Sequence, residues 1–528
     1  MSKDSTSWVR LPPEIRYNVL SILPSLGGAC SLLATVSREW HSVIEPLNFA
    51  EISLTVPRLS NPKSEAILFR KRSQIRYIWF RVELKQYDCG LCAPDDREHW
   101  GLDNVDNTFI AEAFQSLFST LSTWEPRDNL VLDISVYSPS DKQHWFKYLS
   151  FHPDTYLGKL SPLQRNGHEQ GIPIHDPAHG WFAGQQRVAP KQFGIEKVFD
   201  EIMAEGPFED EGPEMQWWQT LPLVPAIAVV LLRQQTRRRW KPVALANMLT
   251  RFPNMKELCY EPWREWDGIQ MHTDKRNQTL IELIPQTKLS KLTIFENFNQ
   301  SYPRQCFECP AIRVPTPAVS HKLARASLQL ATLSASFMID ASYFFEARKG
   351  SWKWENLTCL ALTSRLLTDN THVADINSML RDAAAAALKM PRLETLELWN
   401  GREGIAMLFR YQKARDGQSA IITVRGTFEL ALGYTVKKAW DAVALRHHHG
   451  RVVVQSSSVD PGVIRSHGDA IRQLGLSTDV VRPISLRQIL NEHELRAGVG
   501  QFNEVTNKVE LSSTPQTSTI LPQTSNTP

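Results

Sequence analysis

A six-residue pattern, L-x-x-L-x-L or a close variant of it, recurs five times between residues 255 and 398. The five copies begin at Met255, Leu289, Leu330, Leu357 and Leu393. Apolar positions that alternate with polar ones are typical of a short strand with one buried face. One such strand cannot enclose a core by itself. The pattern therefore predicts a row of parallel strands whose inward side chains stack on those of the next copy.

The pattern resembles the strand half of a leucine-rich repeat. Asn297 lies where such repeats place a turn-bonding asparagine. Three other copies have Trp263, Arg365 and Gly401 at that position. Successive copies are 34, 41, 27 and 36 residues apart, whereas such repeats are usually about 20–29 residues long. The longer intervals leave room for helices, so the predicted fold class is α/β: an irregular leucine-rich-repeat-like parallel β/α solenoid.

The N-terminal segment, residues 11–44, predicts three short helices. Pro13 suits a first helical turn, and Ser37 can cap the third helix. Nine apolar side chains exceed what three small helices can enclose, so some should face another surface. These nine residues are Leu11, Ile15, Leu20, Leu32, Leu33, Val36, Trp40, Val43 and Ile44.

The residue order of this segment resembles the F-box. Its L-P-x-E-I and L-L-x-x-V-S-R-x-W-x-x-x-I elements are Leu11, Pro12, Glu14, Ile15, Leu32, Leu33, Val36, Ser37, Arg38, Trp40 and Ile44. The resemblance implies that the three helices bind the Skp-type adaptor of a cullin–RING ubiquitin ligase, while the rest of the chain presents a substrate. The adaptor-binding residues would then be Leu11, Pro12, Ile15, Leu20, Leu32 and Val36. Trp40 and Ile44 would be mostly internal. The alternative is a helical cap on the next domain, with no adaptor.

Five segments follow from these patterns. They are an F-box at 8–50, the first strand and helix units of the repeat-like domain at 51–150, a loop or connection at 151–192, the irregular leucine-rich-like domain at 193–500, and a disordered tail at 503–528. The whole resembles fungal F-box proteins with a degenerate leucine-rich-repeat-like C-terminal domain of unassigned function. The stretches RQQTRRRWKP and YEPWREW look like recurrent parts of that group.

Two polar clusters are candidates for substrate binding. Arg237, Arg238 and Arg239 form one, because arginine binds phosphate and carboxylate groups in two-point geometry. Trp263 and Arg264 form the other, because Trp and Arg often anchor interfaces. The favoured alternative for the arginines is a solvated turn that pairs with the acidic loop at 205–214. For Trp263 the alternative is a core position.

Signatures of catalysis are absent from the sequence: it has no GxSxG, HExxH or P-loop motif. Two C-x-x-C pairs, Cys89/Cys92 and Cys306/Cys309, would bind zinc if the fold joined them, but 213 residues separate the pairs. Two unrelated pairs of free thiols are the favoured interpretation. The run His447–His449 is typical of a solvated helix end. We therefore expect no catalytic residue, no metal and no cofactor.

Charge and hydrophobicity limit the classes of partner and the cellular compartment that the sequence predicts. The net charge is +3, which favours neither nucleic acid nor an anionic membrane. The longest apolar stretch, at 221–232, has twelve residues and two prolines, so it predicts a buried strand or core segment rather than a membrane span. The N-terminus lacks the apolar run of a secretory signal, and the seven scattered cysteines suit the cytosol or nucleus.

The predicted function is that of a non-enzymatic substrate-recognition adaptor of an SCF-type ubiquitin ligase. Its partners would be a Skp-type adaptor, a cullin reached through it, and an unknown protein substrate. A structural or interaction scaffold outside any ligase is the alternative. An unrecognised enzyme or metal protein built on the two C-x-x-C pairs is the third hypothesis.

Overall fold

A large sheet with helices packed against it dominates the fold, which confirms the α/β class. The computed structural model describes residues 8–23, 30–96, 99–154, 174–264, 270–300, 302, 312–413, 418–447, 450–494, 501–503 and 508–510. The predicted tail from 503 lies mostly outside these residues.

Twelve of the strands form the large sheet, in the order β1-β2-β3-β7-β9-β10-β11-β12-β13-β14-β15-β16. The short strands β4 and β5 pair with each other, as do β6 with β8 and β17 with β18. The strands are β1 Glu51–Thr55, β2 Tyr77–Glu83, β3 Leu130–Tyr137, β4 Trp181–Phe182, β5 Gln185–Gln186, β6 Glu201–Ile202, β7 Ile227–Leu232, β8 Arg239–Trp240, β9 Glu257–Tyr260, β10 Lys291–Phe295, β11 Thr332–Ser336, β12 Cys359–Thr363, β13 Thr395–Arg402, β14 Ile405–Gln412, β15 Ile421–Gly426, β16 Val453–Ser458, β17 Gln501–Asn503 and β18 Lys508–Glu510.

The five predicted strands all form, and they lie in register. Leu292 pairs with Leu258 on one side and Leu333 on the other; Leu360 pairs with Leu333 and Leu396. Each of these leucines is buried, so the same position of every copy stacks in one row. In the large sheet, neighbouring strands from β1 to β13 are parallel. Strand β14 is antiparallel to both β13 and β15, and β16 is parallel to β15.

The helices of the large sheet pack side by side, and α8 to α14 are neighbours in chain order. Within the described residues, no helix combines the length and apolarity that a membrane crossing requires. The helices are α1 Pro13–Ile22, α2 Cys30–Leu33, α3 Arg38–Ala50, α4 Val56–Leu59, α5 Pro62–Lys71, α6 Asn104–Leu121, α7 Gln192–Phe199, α8 Glu211–Thr220, α9 Pro242–Leu249, α10 Gln270–Leu283, α11 Pro317–Ala326, α12 Ala341–Glu346, α13 Val373–Ala387, α14 Tyr434–Arg446, α15 His467–Leu474 and α16 Pro483–Glu494.

The two faces of the sheet are covered differently, because successive side chains of a strand point to opposite faces. Leu360 and Leu362 of β12 belong to the main core on the helix side, whereas Ala361 between them belongs to a second apolar cluster. Helix α15 supplies Ala470 and Leu474 to this second cluster and packs on β13 and β14. The end of the described chain thus folds back over the face that the earlier helices leave open.

The apolar stretch at 221–232 ends in the buried strand β7, as predicted. Strand β3 pairs directly with β7, so the units at 51–150 and the later strands share one sheet. Of the predicted connection at 151–192, residues 174–192 contain the β4–β5 hairpin and the start of α7, and residues 155–173 lie outside the described part.

Candidate functional site

The three N-terminal helices form as their local sequence predicts. Pro13 occupies the first turn of α1, and the Ser37 Oγ accepts a hydrogen bond from the Trp40 amide at 3.3 Å, which caps α3. Leu20 and Ile44 are fully buried. Both α1 and α2 pack on α3. These contacts give the small helical unit a core of its own.

Much of the apolar surface of this unit faces solvent. We call the exposed set the N-terminal apolar face, and its members range from 37% exposure at Leu11 to 69% at Leu32. On α1, Ile15, Val19 and Ile22 are spaced four and three residues apart, which places them in one stripe. The N-terminal apolar face consists of Leu11, Ile15, Val19, Ile22, Leu32 and Val36. Exposed apolar residues concentrated in so short a segment make this face a candidate interaction surface.

Five of the six predicted adaptor-binding residues are exposed: Leu11, Pro12, Ile15, Leu32 and Val36. The exception, Leu20, is completely buried, so its side chain contributes to the core of the helical unit rather than to the surface. The reason is helical geometry, because each residue advances about 100° around the axis. Trp40, expected to be internal, is only half-buried, whereas Ile44 is internal as expected.

The helical unit joins the sheet without a linker. Helix α3 ends at Ala50 and β1 begins at Glu51. Glu45 of α3 forms a 2.6 Å ion pair with Lys71 at the end of α5. The hydrogen bond from Lys71 lowers the pKa of the Glu45 carboxyl. The N-terminal apolar face is therefore held on the same body as the sheet while remaining open to solvent.

A second candidate site is a cleft at the carboxyl edge of the parallel strands. It measures about 560 Å³, part of it open to solvent. Residues that end or follow β10 to β13 line it, among them Glu296, Phe337, Ser364 and Asn400. In open α/β sheets, ligands bind outside the carboxyl ends of the strands. We call this the carboxyl-edge cleft.

The acidic groups of the carboxyl-edge cleft are engaged within the protein. Asp340 accepts hydrogen bonds from the Arg365 amide at 2.7 Å and the Ser364 hydroxyl at 3.1 Å. Glu296 pairs with Arg313 at 2.5 Å. Among the charged residues that line the cleft, only Arg365 and Arg402 reach solvent. The accessible charge of the cleft is therefore positive.

The three successive arginines occupy buried positions, which corrects the expectation of a solvated turn. Arg237 pairs with Glu492 at 2.8 Å, and Arg238 donates to Asp141. Arg239 lies 3.5 Å from Glu201. Each guanidinium is thus held by a carboxylate of its own chain, and none is available to a substrate. From the predicted acidic loop, only Glu214 takes part, through a 2.8 Å pair with Lys241.

Trp263 and Arg264 are buried as well. The Arg237 guanidinium lies 4.1 Å from the centre of the Trp263 ring, so Trp263 is a core residue, as the alternative interpretation held. The Arg264 amide donates to the Asn297 carbonyl at 2.9 Å, and its side chain lines the carboxyl-edge cleft. Of the five candidates for substrate binding, only Arg264 lines the carboxyl-edge cleft. Arg238 and Arg239 line a smaller cavity of about 300 Å³.

Sequence reasoning missed a buried polar network that binds α16 to the sheet. Glu492 accepts hydrogen bonds from Asn299 at 2.6 Å and Tyr302 at 2.8 Å, besides Arg237. Nearby, Glu261 accepts from the Ser485 hydroxyl at 2.6 Å, while burial raises the pKa of its carboxyl. No local sequence pattern indicates these pairs, because the partners of Glu492, which include the Tyr148 hydroxyl, lie 190 to 344 residues away.

Among the predicted thiol pairs, Cys306 and Cys309 lie outside the described residues, as do His448 and His449 of the histidine run. Cys89 and Cys92 are described, and they lie beside two histidines, His144 and His179. The four residues are a candidate metal-binding set that the sequence did not single out, because their positions span 90 residues.

Comparison with known proteins gives one family match. Residues 283–482 match a domain described as "Family of unknown function (DUF6546)". No curated protein matches the chain. The matched segment covers strands β10 to β16 and helix α15, and it includes most residues that line the carboxyl-edge cleft. Helices α1 to α3 and the Cys/His set lie before it.

Proposed function

We propose that the chain is a substrate-recognition adaptor of an SCF-type ubiquitin ligase, in which helices α1 to α3 bind a Skp-type adaptor and, through it, a cullin. One observation carries the proposal: the N-terminal apolar face remains open to solvent beside a sheet with a large core of its own. A helical cap that served only to seal the next domain would bury that face.

In this proposal the architecture is an N-terminal three-helix F-box followed by an irregular leucine-rich-repeat-like solenoid. The support is the row of paired leucines from β9 to β13 and the strand order, which follows the chain. The antiparallel strand β14 and the covering helix α15 depart from a simple repeat. They would close the solenoid at its C-terminal side, as terminal repeats commonly do.

The target of the proposed ligase would be a protein with an acidic segment that binds the carboxyl-edge cleft. The support is the solvent-facing charge of the cleft, which comes from Arg365 and Arg402. The mechanism is proximity: the target is held near the catalytic partner of the ligase, at a raised effective concentration, and this chain performs no chemistry. Its place of action would be the cytoplasm or the nucleus.

Adaptor binding tests the proposal. Ile15 and Leu32 expose about half and two thirds of their side chains. Completing the burial of each would contribute about 1–2 kcal/mol. The double variant Ile15→Ala/Leu32→Ala should therefore weaken binding to a purified Skp-type adaptor by roughly 30-fold or more, measured by calorimetry.

The matched control is Tyr17→Ala. Tyr17 is exposed on α1 but lies about 160–200° around the helix from Ile15 and Val19. It should bind the adaptor as the unchanged chain does. Equal affinity of the double variant and the unchanged chain would remove the N-terminal apolar face from the interface.

The alternative function is a scaffold that never joins a ligase. Co-purification of the chain without adaptor or cullin would favour it.

Target binding is tested separately by charge reversal at Arg365 and Arg402 in the adaptor-defective variant, which would hold targets without degrading them. The expected targets are proteins that co-purify with the Ile15→Ala/Leu32→Ala chain but not with the same chain that also carries Arg365→Glu/Arg402→Glu. If both chains recover the same proteins, the targets bind outside the carboxyl-edge cleft.

A further inference from the structure

Four potential metal ligands meet beside the amino-terminal part of the large sheet, although they come from three separate segments. Cys89 and Cys92 lie in and after a short 3-10 turn, His144 lies between β3 and β4, and His179 lies just before β4. One ligand atom from each residue lies within 4.8 Å of all the others. We propose that these four side chains bind a single structural Zn²⁺ ion.

The distances suit tetrahedral zinc. The His179 Nε2 lies 3.3 Å from the Cys89 Sγ and 3.4 Å from the Cys92 Sγ. Zinc binds sulfur at about 2.3 Å and nitrogen at about 2.0–2.1 Å, so tetrahedral geometry separates such ligands by roughly 3.5 Å. Two thiolates and two imidazoles fill all four positions, which is the arrangement of a closed structural site rather than a catalytic one.

The second ring nitrogen of His179 has the partner that metal-binding histidines commonly have. Its Nδ1 lies 2.7 Å from the Asp176 Oδ2, and Asp176 in turn pairs with Lys147 at 2.9 Å. A carboxylate at this nitrogen keeps the proton on Nδ1 and directs the lone pair of Nε2 towards the metal. The orientation of His179 is thereby fixed by two charged neighbours outside the ligand set.

His144 provides an independent observation. Its Nε2 is buried and has no hydrogen-bond partner among the described residues. The His144 ring stacks on Tyr87 at 5.8 Å between centroids and lies 5.0 Å from the His179 ring. A buried ring nitrogen without a partner calls for a specific explanation, and coordination of a cation supplies one.

The short turn at Cys89–Leu91 brings the side chains of Cys89 and Cys92 close together. The Asp88 Oδ1 accepts a hydrogen bond from the Gly90 amide at 2.9 Å, which holds the Cys89–Leu91 turn. Cys92 belongs to an apolar cluster that also contains Trp145 and Trp181. Zinc would therefore add a direct link between the segment after β2 and the segments before and after residues 155–173, in addition to the apolar contacts of this cluster.

A Cys89–Cys92 disulfide is the competing use of the same thiols. A disulfide would require neither histidine, whereas one ring nitrogen of each histidine lies within 4.8 Å of both sulfur atoms. Zinc uses all four groups, and the geometry favours it for that reason.

The test is metal analysis of the full-length chain. Purified protein should contain one zinc per chain by mass spectrometry. The content should fall to below about one fifth in Cys92→Ser and in His179→Gln, and it should be unchanged in Cys359→Ser, which alters a free, half-buried cysteine of β12. Cys306→Ser should also keep its zinc, and zinc loss in that variant would assign the metal to other ligands and overturn the proposal.

Cobalt substitution gives a readout that does not depend on the folding of a variant. Metal-free wild-type chain titrated with Co²⁺ should develop the visible bands of a tetrahedral site with two sulfur ligands, with saturation at one equivalent. Zinc-free wild-type protein that gives no such bands, or mass analysis that shows a Cys89–Cys92 disulfide in freshly purified chain, would overturn the proposal.

Discussion

Replacement of Glu492 by glutamine should destabilise the chain by about 3–5 kcal/mol, because it leaves the Arg237 guanidinium buried without its ionic partner. Arg237 is 1% exposed, and its Nη2 lies 2.8 Å from the Glu492 carboxylate. Glutamine keeps the volume and planar shape of glutamate, so the loss would report charge and hydrogen bonding rather than a cavity. Tyr148, Asn299 and Tyr302 also donate to Glu492. A single neutral amide oxygen would replace the charged carboxylate that all four residues share as an acceptor.

A double variant separates this account from a role of Arg237 in substrate binding. Arg237→Met should cost several kcal/mol alone, since it leaves Glu492 as the unpaired charge. The double variant Arg237→Met/Glu492→Gln removes both charges, so its loss should be smaller than the sum of the single losses by about 2 kcal/mol or more. If Arg237 served a substrate instead, its replacement would leave the free chain as stable as before.

The assay is urea unfolding of the full chain, followed by tryptophan fluorescence. A chain of this length need not unfold in one step, so hydrogen exchange of α16 should accompany it and should report faster exchange in each single variant. Single losses below about 1 kcal/mol, or strict additivity in the double variant, would refute the argument that this pair seals α16 to the sheet.

Two further predictions concern pH and the strand row. Burial lowers the pKa of His467 to about 3, with His493 adding to the decrease and Glu492 opposing it. In the unfolded chain the same imidazole takes up a proton below about pH 6.5. The free energy of unfolding should therefore fall by about 2 kcal/mol between pH 7 and pH 5. His467→Gln should lose that share of the pH dependence in paired denaturant titrations, and an unchanged slope would exclude His467 as its source. Leu360→Ala, at the centre of the paired leucines, should lower the free energy of unfolding by about 2–5 kcal/mol. The control Val453→Ala, at an exposed position of the edge strand β16, should lower it by less than about 0.5 kcal/mol. Thermal unfolding of both variants would show the difference, and equal losses of stability would contradict the assigned row of leucines.

The strand row could be predicted because its information is local and repeated. Each copy carries its own apolar spacing, and the in-register pairing of Leu292, Leu333 and Leu360 follows once neighbouring copies stack. The same holds for α1 and α3, whose starts depend on Pro13 and Ser37. Such features need no knowledge of distant residues.

The buried arginines and the Cys/His set could not be predicted, because their partners are distant in sequence. Successive arginines normally indicate a solvated segment, and only the carboxylates that meet them in space reverse that expectation. Arg237 and Glu492 are 255 residues apart, and Cys89 and His179 are 90 apart. Leu20 differed from expectation for a simpler reason, since the F-box resemblance gave its residue type but not its side of the helix.

The covering of the second face of the sheet by helices α15 and α16 has a consequence for biosynthesis. Asp154 forms its ion pair with Arg482, which is added to the nascent chain 328 residues later. At about 5–20 residues per second, the ribosome needs roughly 15 to 65 s to make that interval. Until Arg482 leaves the exit tunnel, Asp154 lacks this ionic partner, and the second face of the sheet lacks the cover that α15 and α16 provide.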